Sequence, residues 1–300
     1  MLRVVRVSCC LLFVAFLARG AASGVSSPMV GLTEGSATPV NLRPGMNFST
    51  DGVTVRVPPR GFSVAAEVVG ARGRTVELSL ETKKDGSVLV LRGAAADPVA
   101  MVGSSDNPCG DGAYTLASAK WSRTYAYYVS TANLPSNISA RAASADFRSA
   151  VSHIVNGYNN CGRDPNLAVG ASYQGTISSQ VDIASTAGCM SPDGRNELGF
   201  RRLPSSYLAV SCRWWSGGRY VEGDTAANTY YKWYVNKPSN CYWRWSLEDV
   251  ATHELGHVFG LGHVSESSHP RLTMSPMLYP CQSTESTLGL GDLRGLQALY

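Results

Sequence analysis

His253-Glu254-Leu255-Gly256-His257-Val258-Phe259-Gly260-Leu261-Gly262-His263, led in by Ser246-Leu247-Glu248-Asp249, gathers three of the chain's five histidines into one short run. Residues four apart on a helix share a face, so His253 and His257 can offer both imidazoles to a single ion. Ser246 as the N-cap, Asp249 three residues on and Glu248 at the positive end predict a helix over 246–260. Gly260 accepts the left-handed backbone that ends a helix and turns the chain back, which lets His263 return as a third ligand. Three nitrogen donors with a fourth position kept for water form the donor set of a catalytic zinc site. Zinc lowers the pKa of such a water from 15.7 toward ~7, and Glu254, next to the first ligand, is placed to take its proton and pass it to a departing amine. The sequence therefore predicts one catalytic Zn2+ held by His253, His257 and His263, with Glu254 as general base.

Downstream, Leu272-Thr273-Met274-Ser275-Pro276 and the terminal Asp292-Leu293-Arg294-Gly295-Leu296-Gln297-Ala298-Leu299-Tyr300 extend the pattern. Together with residues 253–263 they resemble the metzincin metallopeptidases, in which HExxHxxGxxH precedes a methionine turn under the metal. The final helix is similar to that of the matrixin branch. The resemblance is detailed over 246–300, only architectural over about 110–245, and absent before 103. It implies an α+β catalytic domain: a twisted mixed sheet, largely parallel, on two long helices, with the active-site helix at the floor of a cleft. It also implies endoproteolysis of an extended peptide lying along an edge strand. Met274 is then the floor of the zinc site and not a ligand; Met277 is the runner-up. Pro276 stands where an astacin-like tyrosine ligand would be. Only His153 and His269 lie outside the motif, too few for the histidine-rich structural zinc site of vertebrate matrixins. That departure points to a microbial, secreted matrixin-like enzyme.

Arg3 and Arg6, an apolar run over 7–18 and the small residues Gly20 to Ser23 read as a signal peptide over 1–23. The run is too short to span a bilayer, which needs ~20 apolar residues, so stable membrane insertion is not expected. Of 26 basic residues the leader removes Arg3, Arg6 and Arg19, leaving near-balance with the 22 acidic ones. A chain without a basic stripe has no electrostatic footprint for nucleic acid. Cys9 and Cys10 leave with the leader; Cys109, Cys161, Cys189, Cys212, Cys241 and Cys281 remain, an even set that reads as three disulfides with pairing open. Asn107-Pro108-Cys109-Gly110-Asp111 resembles the cysteine switch of matrixin proenzymes, but parity favours a bridge.

Between these ends, Val53, Val55 and Val57, then Val76, Leu78 and Leu80, then Val88 and Val90, alternate with polar residues as antiparallel strands do, with Asp85-Gly86 as a turn. Residues 24–103 are read as a β-rich pro-segment or accessory domain and 104–300 as the zinc peptidase domain. Ala143, Phe147, Val151, Ile154 and Tyr158 recur at helical spacing. His153 and His269 read as packing and loop residues, Asn47 and Asn137 as glycosylation acceptors by pattern, and the tryptophans at 214, 215, 233, 243 and 245 as core. Asp224 suggests Ca2+ as possible, with no ligand set assigned. A monomer is favoured. Two other readings remain at this point: a zinc-binding pseudoenzyme or binding module, and a zinc hydrolase of a non-peptide amide.

Overall fold

The computed structural model describes residues 41–71, 73–93 and 107–300. The leader at 1–23 and the 103/104 boundary lie outside these residues. The first hairpin joins β1 (Asn47–Thr50) to β2 (Val53–Arg56). Its two turn residues, Asp51 and Gly52, both take positive φ, 52° and 81°, matching the twist a two-residue hairpin needs. A meander follows: β3 (Ser63–Gly70), β4 (Thr75–Thr82) and β5 (Val88–Arg92). After β6 (Thr115–Leu116) come β7 (Tyr125–Ser130), α1 (Ala140–Val155) and β8 (Ala171–Ile177). The short strands β9 (Ile183–Ala184) and β10 (Gly188–Cys189) precede β11 (Asn196–Arg201) and the long hairpin of β12 (Tyr207–Ser216) and β13 (Arg219–Asn228). Then β14 (Lys232–Tyr234) and β15 (Arg244–Ser246) lead into α2 (Leu247–Val258), β16 (Leu261–Gly262) and α3 (Leu290–Leu299).

Eight strands form the main sheet in the order β5-β4-β3-β12-β13-β11-β7-β8. From β13 to β8 the pairings are parallel; from β5 to β13 they are antiparallel. The mixed sheet with few helices agrees with an α+β class, and the largely parallel expectation holds for one half of it. The β-rich stretch read near the N-terminus continues the same sheet, because β3 pairs with β12 through an antiparallel register that sets Ser211 against Glu67.

Two apolar cores lie against this sheet. One joins α1 and α2 to Tyr125, Leu198, Phe200 and Trp245; the other joins β2, β3 and β4 to Ile183, Leu203 and Trp214. Helix α1 starts at Ser139, whose side chain accepts from the Ala142 N–H, and buries Ala143, Phe147, Val151 and Ile154. Tyr158, expected on that face, is half exposed. The helix has ended at Val155, and Gly157 with φ 55° turns the chain so that Tyr158 stacks on His153 instead. Trp214, Trp233 and Trp245 are fully buried, whereas Trp243 is 62% exposed, so packing does not account for all five tryptophans.

The six cysteines among the described residues all pair, Cys109 with Cys161, Cys189 with Cys212 and Cys241 with Cys281. With its sulfur in a bridge, Cys109 has no thiol to act as a switch. Among the described residues no helix is long and apolar enough to cross a membrane. Phe147 packs edge-on to Phe200 at 5.8 Å in the α1 core. Replacing it with alanine is expected to cost about 3–5 kcal/mol, checked by urea denaturation of the oxidised protein.

Candidate metal centre

Helix α2 is fixed at its start by a polar knot. Ser246 Oγ accepts from the Asp249 N–H at 3.2 Å and donates to Asp249 Oδ1 at 3.0 Å, while Asp249 Oδ2 accepts from the Glu285 N–H at 3.2 Å. Ser246 and Asp249 do meet, but through their side chains and not by a return bond to the Ser246 backbone. Burial, then the neighbouring Glu285, pushes Asp249 up to about 8.

At the other end the helix stops at Phe259, and Gly260 takes φ 95°. A Cβ there would sit 2.9 Å from both Ala119 O and Leu299 Cδ1, so conformation and space both call for glycine. The returning chain pairs as β16 with β6, and Ala117 N–H donates to Gly260 O at 2.8 Å. This local route carries His263 back to the helix.

The three imidazoles meet. Nε2 of His253 lies 3.1 Å from Nε2 of His263 and 3.2 Å from that of His257, and the His257–His263 separation is 3.1 Å. His253 Nδ1 faces Thr273 O at 2.7 Å and His257 Nδ1 faces Leu261 O at 3.0 Å. A carbonyl can only accept, so both Nδ1 atoms carry the proton and both Nε2 lone pairs point inward. Burial drives His253 and His257 down to about 3, helped by His257 in the first case and Arg213 in the second, so both rings stay neutral. His263, partly exposed, is also shifted down by burial and by the other two rings. Two neutral lone pairs fixed toward one point, with the Nε2 of His263 beside them, are satisfied together by a cation among them. Their spacing suits donors about 2.0–2.1 Å from a shared ion. Among the described residues no other group of three or more His, Cys, Asp or Glu side chains is close enough to hold a metal.

Glu254 is fully buried beside them, with no hydrogen-bond partner closer than the neighbouring Ser211 hydroxyl. Burial pushes it up to about 8, against the opposing pull of Ser211 and Arg213. A carboxylate so sparsely partnered beside three convergent nitrogens fits a centre that takes a cation and its water. Beneath the helix, Met274 is packed so tightly that a Cβ on Gly256 would fall 2.2 Å from its sulfur. Met277 instead lies against Gly73.

Three further residues brace the site and carried no assigned role in the sequence. Asp292 of α3 accepts from the Thr273 and Gly289 N–H groups at 2.8 and 2.9 Å, and from the Met274 N–H at 3.1 Å. It thereby ties the chain beneath the metal centre to the last helix. Arg213 of β12 donates to His257 O at 2.8 Å. Glu67 of β3 is ion-paired with Arg213 and brings Oε2 to 2.6 Å from His257 Nδ1; both side chains are buried. A lone glutamate in Val64-Ala65-Ala66-Glu67-Val68-Val69 signals a buried charge in need of a partner.

The remaining candidates lie apart from this cluster. His153 faces Glu248 at 3.6 Å and His269 Nδ1 meets Asp111 at 2.9 Å. Asn137 spends its side-chain amide on Trp233 O at 2.8 Å. Asp224 is buried among acidic neighbours and accepts from the Glu197 N–H at 2.8 Å. Burial, then Glu222, raises its carboxyl well above the ordinary range.

Residues 207–300, from β12 to the end of α3, match the family model described as Matrixin. This stretch is matrixin-like. It holds the histidine triad, Glu254, Met274, Arg213 and Asp292, but not Glu67. Metalloendoproteinase 4-MMP of Arabidopsis thaliana is 48% identical over 54 residues, a match covering 18% of this chain and 15% of the plant protein.

Two measurements probe this architecture. Gly256→Ala should destabilise the protein by about 1–3 kcal/mol through overpacking, more than the ~1 kcal/mol of helix propensity it gains. Its cost and that of Met274→Ala should not add in urea denaturation, since the two side chains contend for one space. The second concerns Asp249, whose carboxyl ionises near 4 when unfolded and near 8 when folded. Its contribution to stability is complete below about pH 4 and is lost as pH rises toward 8. Asp249→Asn should flatten the fall in unfolding free energy between those values.

Proposed function

We propose that the chain is an exported zinc-dependent endopeptidase of matrixin type, with His253, His257 and His263 as the metal ligands and Glu254 as the general base. The observation that carries this reading is the meeting of three imidazole Nε2 atoms, two of them with lone pairs fixed inward, beside the buried carboxylate of Glu254. The matrixin match over the same residues supports the choice of zinc and of peptide bonds. Zinc bound there supplies a Lewis acid for the carbonyl oxygen and a water acidic enough to attack near neutral pH.

The chain's own groups do the rest. Thr273 and Leu261 carbonyls hold two of the rings in the tautomer that offers Nε2. Glu254 takes the proton of the attacking water at a carboxylate oxygen and gives it to the amine nitrogen as the peptide bond breaks. Burial alone keeps it protonated up to about 8; beside a cation the ionised form is favoured, as a proton acceptor requires. Gly256 lets Met274 support the helix from below, and Asp292 fixes the chain that carries both Thr273 and Met274. The substrate in this reading is an extended polypeptide aligned with β12, the strand bearing Ser211 and Arg213.

Glu254→Gln should bind zinc in full stoichiometry and lose turnover by about 10²–10⁴-fold. His257→Ala should lose the metal as well, and a chelator should silence the wild type. Metal analysis run beside cleavage of a quenched peptide library checks all three. A Glu254→Gln protein as active as the wild type would remove Glu254 from the mechanism.

A further inference from the structure

An extended peptide joins a sheet by using the unpaired N–H and C=O groups of an edge strand. The strand next to the metal centre is β12, since Arg213 reaches the backbone of α2 at His257 and Ser211 faces Glu254. One edge of β12 pairs with β13. The other edge is already taken: β3 runs antiparallel along it from Tyr207↔Gly70 to Trp215↔Ser63. Every residue of β3 is buried, and β4 and β5 continue the sheet beyond it. Opposite Ser211 stands Glu67, whose carboxylate turns toward α2 to meet Arg213 and His257.

We infer that β3 is an internal occupant of the substrate edge, so that this chain is latent toward polypeptides while Ser63–Gly70 remains on β12. The inference rests on the peptidase reading of the same site. A substrate strand and β3 need the same backbone groups of β12, and both cannot hold them at once. Glu67 sets the register: a one-residue slip of β3 would turn its carboxylate to the opposite face of the sheet, away from Arg213 and His257. A buried carboxylate left without its guanidinium is costly, so the contact is held firmly in one alignment. The meander keeps that alignment from outside, with Leu80 of β4 fully buried against Val64 of β3.

The test uses the zinc-loaded full chain, a quenched library of extended peptides, acetohydroxamate as a probe small enough to reach the metal without a strand edge, and amide exchange across residues 63–70. The wild type should bind acetohydroxamate, cleave the peptides slowly and keep the β3 amides protected. Glu67→Ala, which cuts the anchor, and Leu80→Ala, which loosens β4 without touching the metal centre, should each raise kcat/KM by about tenfold or more while β3 protection falls. Should Glu67→Ala fail to fold, Leu80→Ala and the exchange of the wild type still decide the matter. A wild type that cleaves peptides with its β3 amides fully protected, at a rate neither variant changes, overturns the latency and leaves the peptidase reading standing. Zinc-loaded protein that cleaves no peptide in any form overturns both.

Discussion

Three imidazole Nε2 atoms about 3.1 Å apart, two of them with lone pairs fixed inward by Nδ1–H bonds to backbone carbonyls, make a donor set that a cation among them would satisfy. Most of the structure around α2 serves that meeting. Backbone carbonyls at Thr273 and Leu261 settle the tautomers, Gly260 bends the chain that returns His263, and Asp292 holds the segment carrying Thr273. Each support comes from a different part of the chain, so the last helix and the turn after α2 contribute to the metal centre without touching it. That explains why the matrixin match runs on to residue 300.

The part of the site that could be read from sequence is the part built locally. His253, Glu254 and His257 share one helix face by periodicity alone, and the return of His263 depends on a glycine six residues before Glu266. Asp292 was visible only as one letter of a terminal pattern. Its task, accepting three backbone N–H groups, depends on where α3 lies against the turn at 273–274, and no periodicity encodes that. The expected face of α1 was correct up to Ile154 and failed at Tyr158, because a glycine with positive φ ends the helix first. Periodicity says which residues would share a face if the helix continued; it does not say that the helix continues.

The strands near the N-terminus show the same limit at larger scale. Alternation at 53–57, 76–80 and 88–90 signals strands and even hairpins, because local turns join them. Pairing of β3 with β12 joins residues far apart in sequence, and β3 does not alternate at all, being buried on both faces. A continuous apolar run fits a central strand or a buried helix equally well. Glu67 was the clue, since a charge in such a run must find a partner, but nothing in the sequence names that partner as Arg213.

Burial of Glu67 and Arg213 together also bears on why the β-rich stretch belongs to this sheet and not to a detached unit. A buried ion pair adds little stability compared with apolar side chains of the same volume. What it supplies is alignment, since Glu67 is paired with the Arg213 guanidinium and its second oxygen lies beside the His257 ring. Apolar contacts among Val64, Val68 and Leu80 would tolerate a shifted strand far better than this pair does. The same carboxylate therefore fixes the register of β3 and places that strand beside His257 and Arg213.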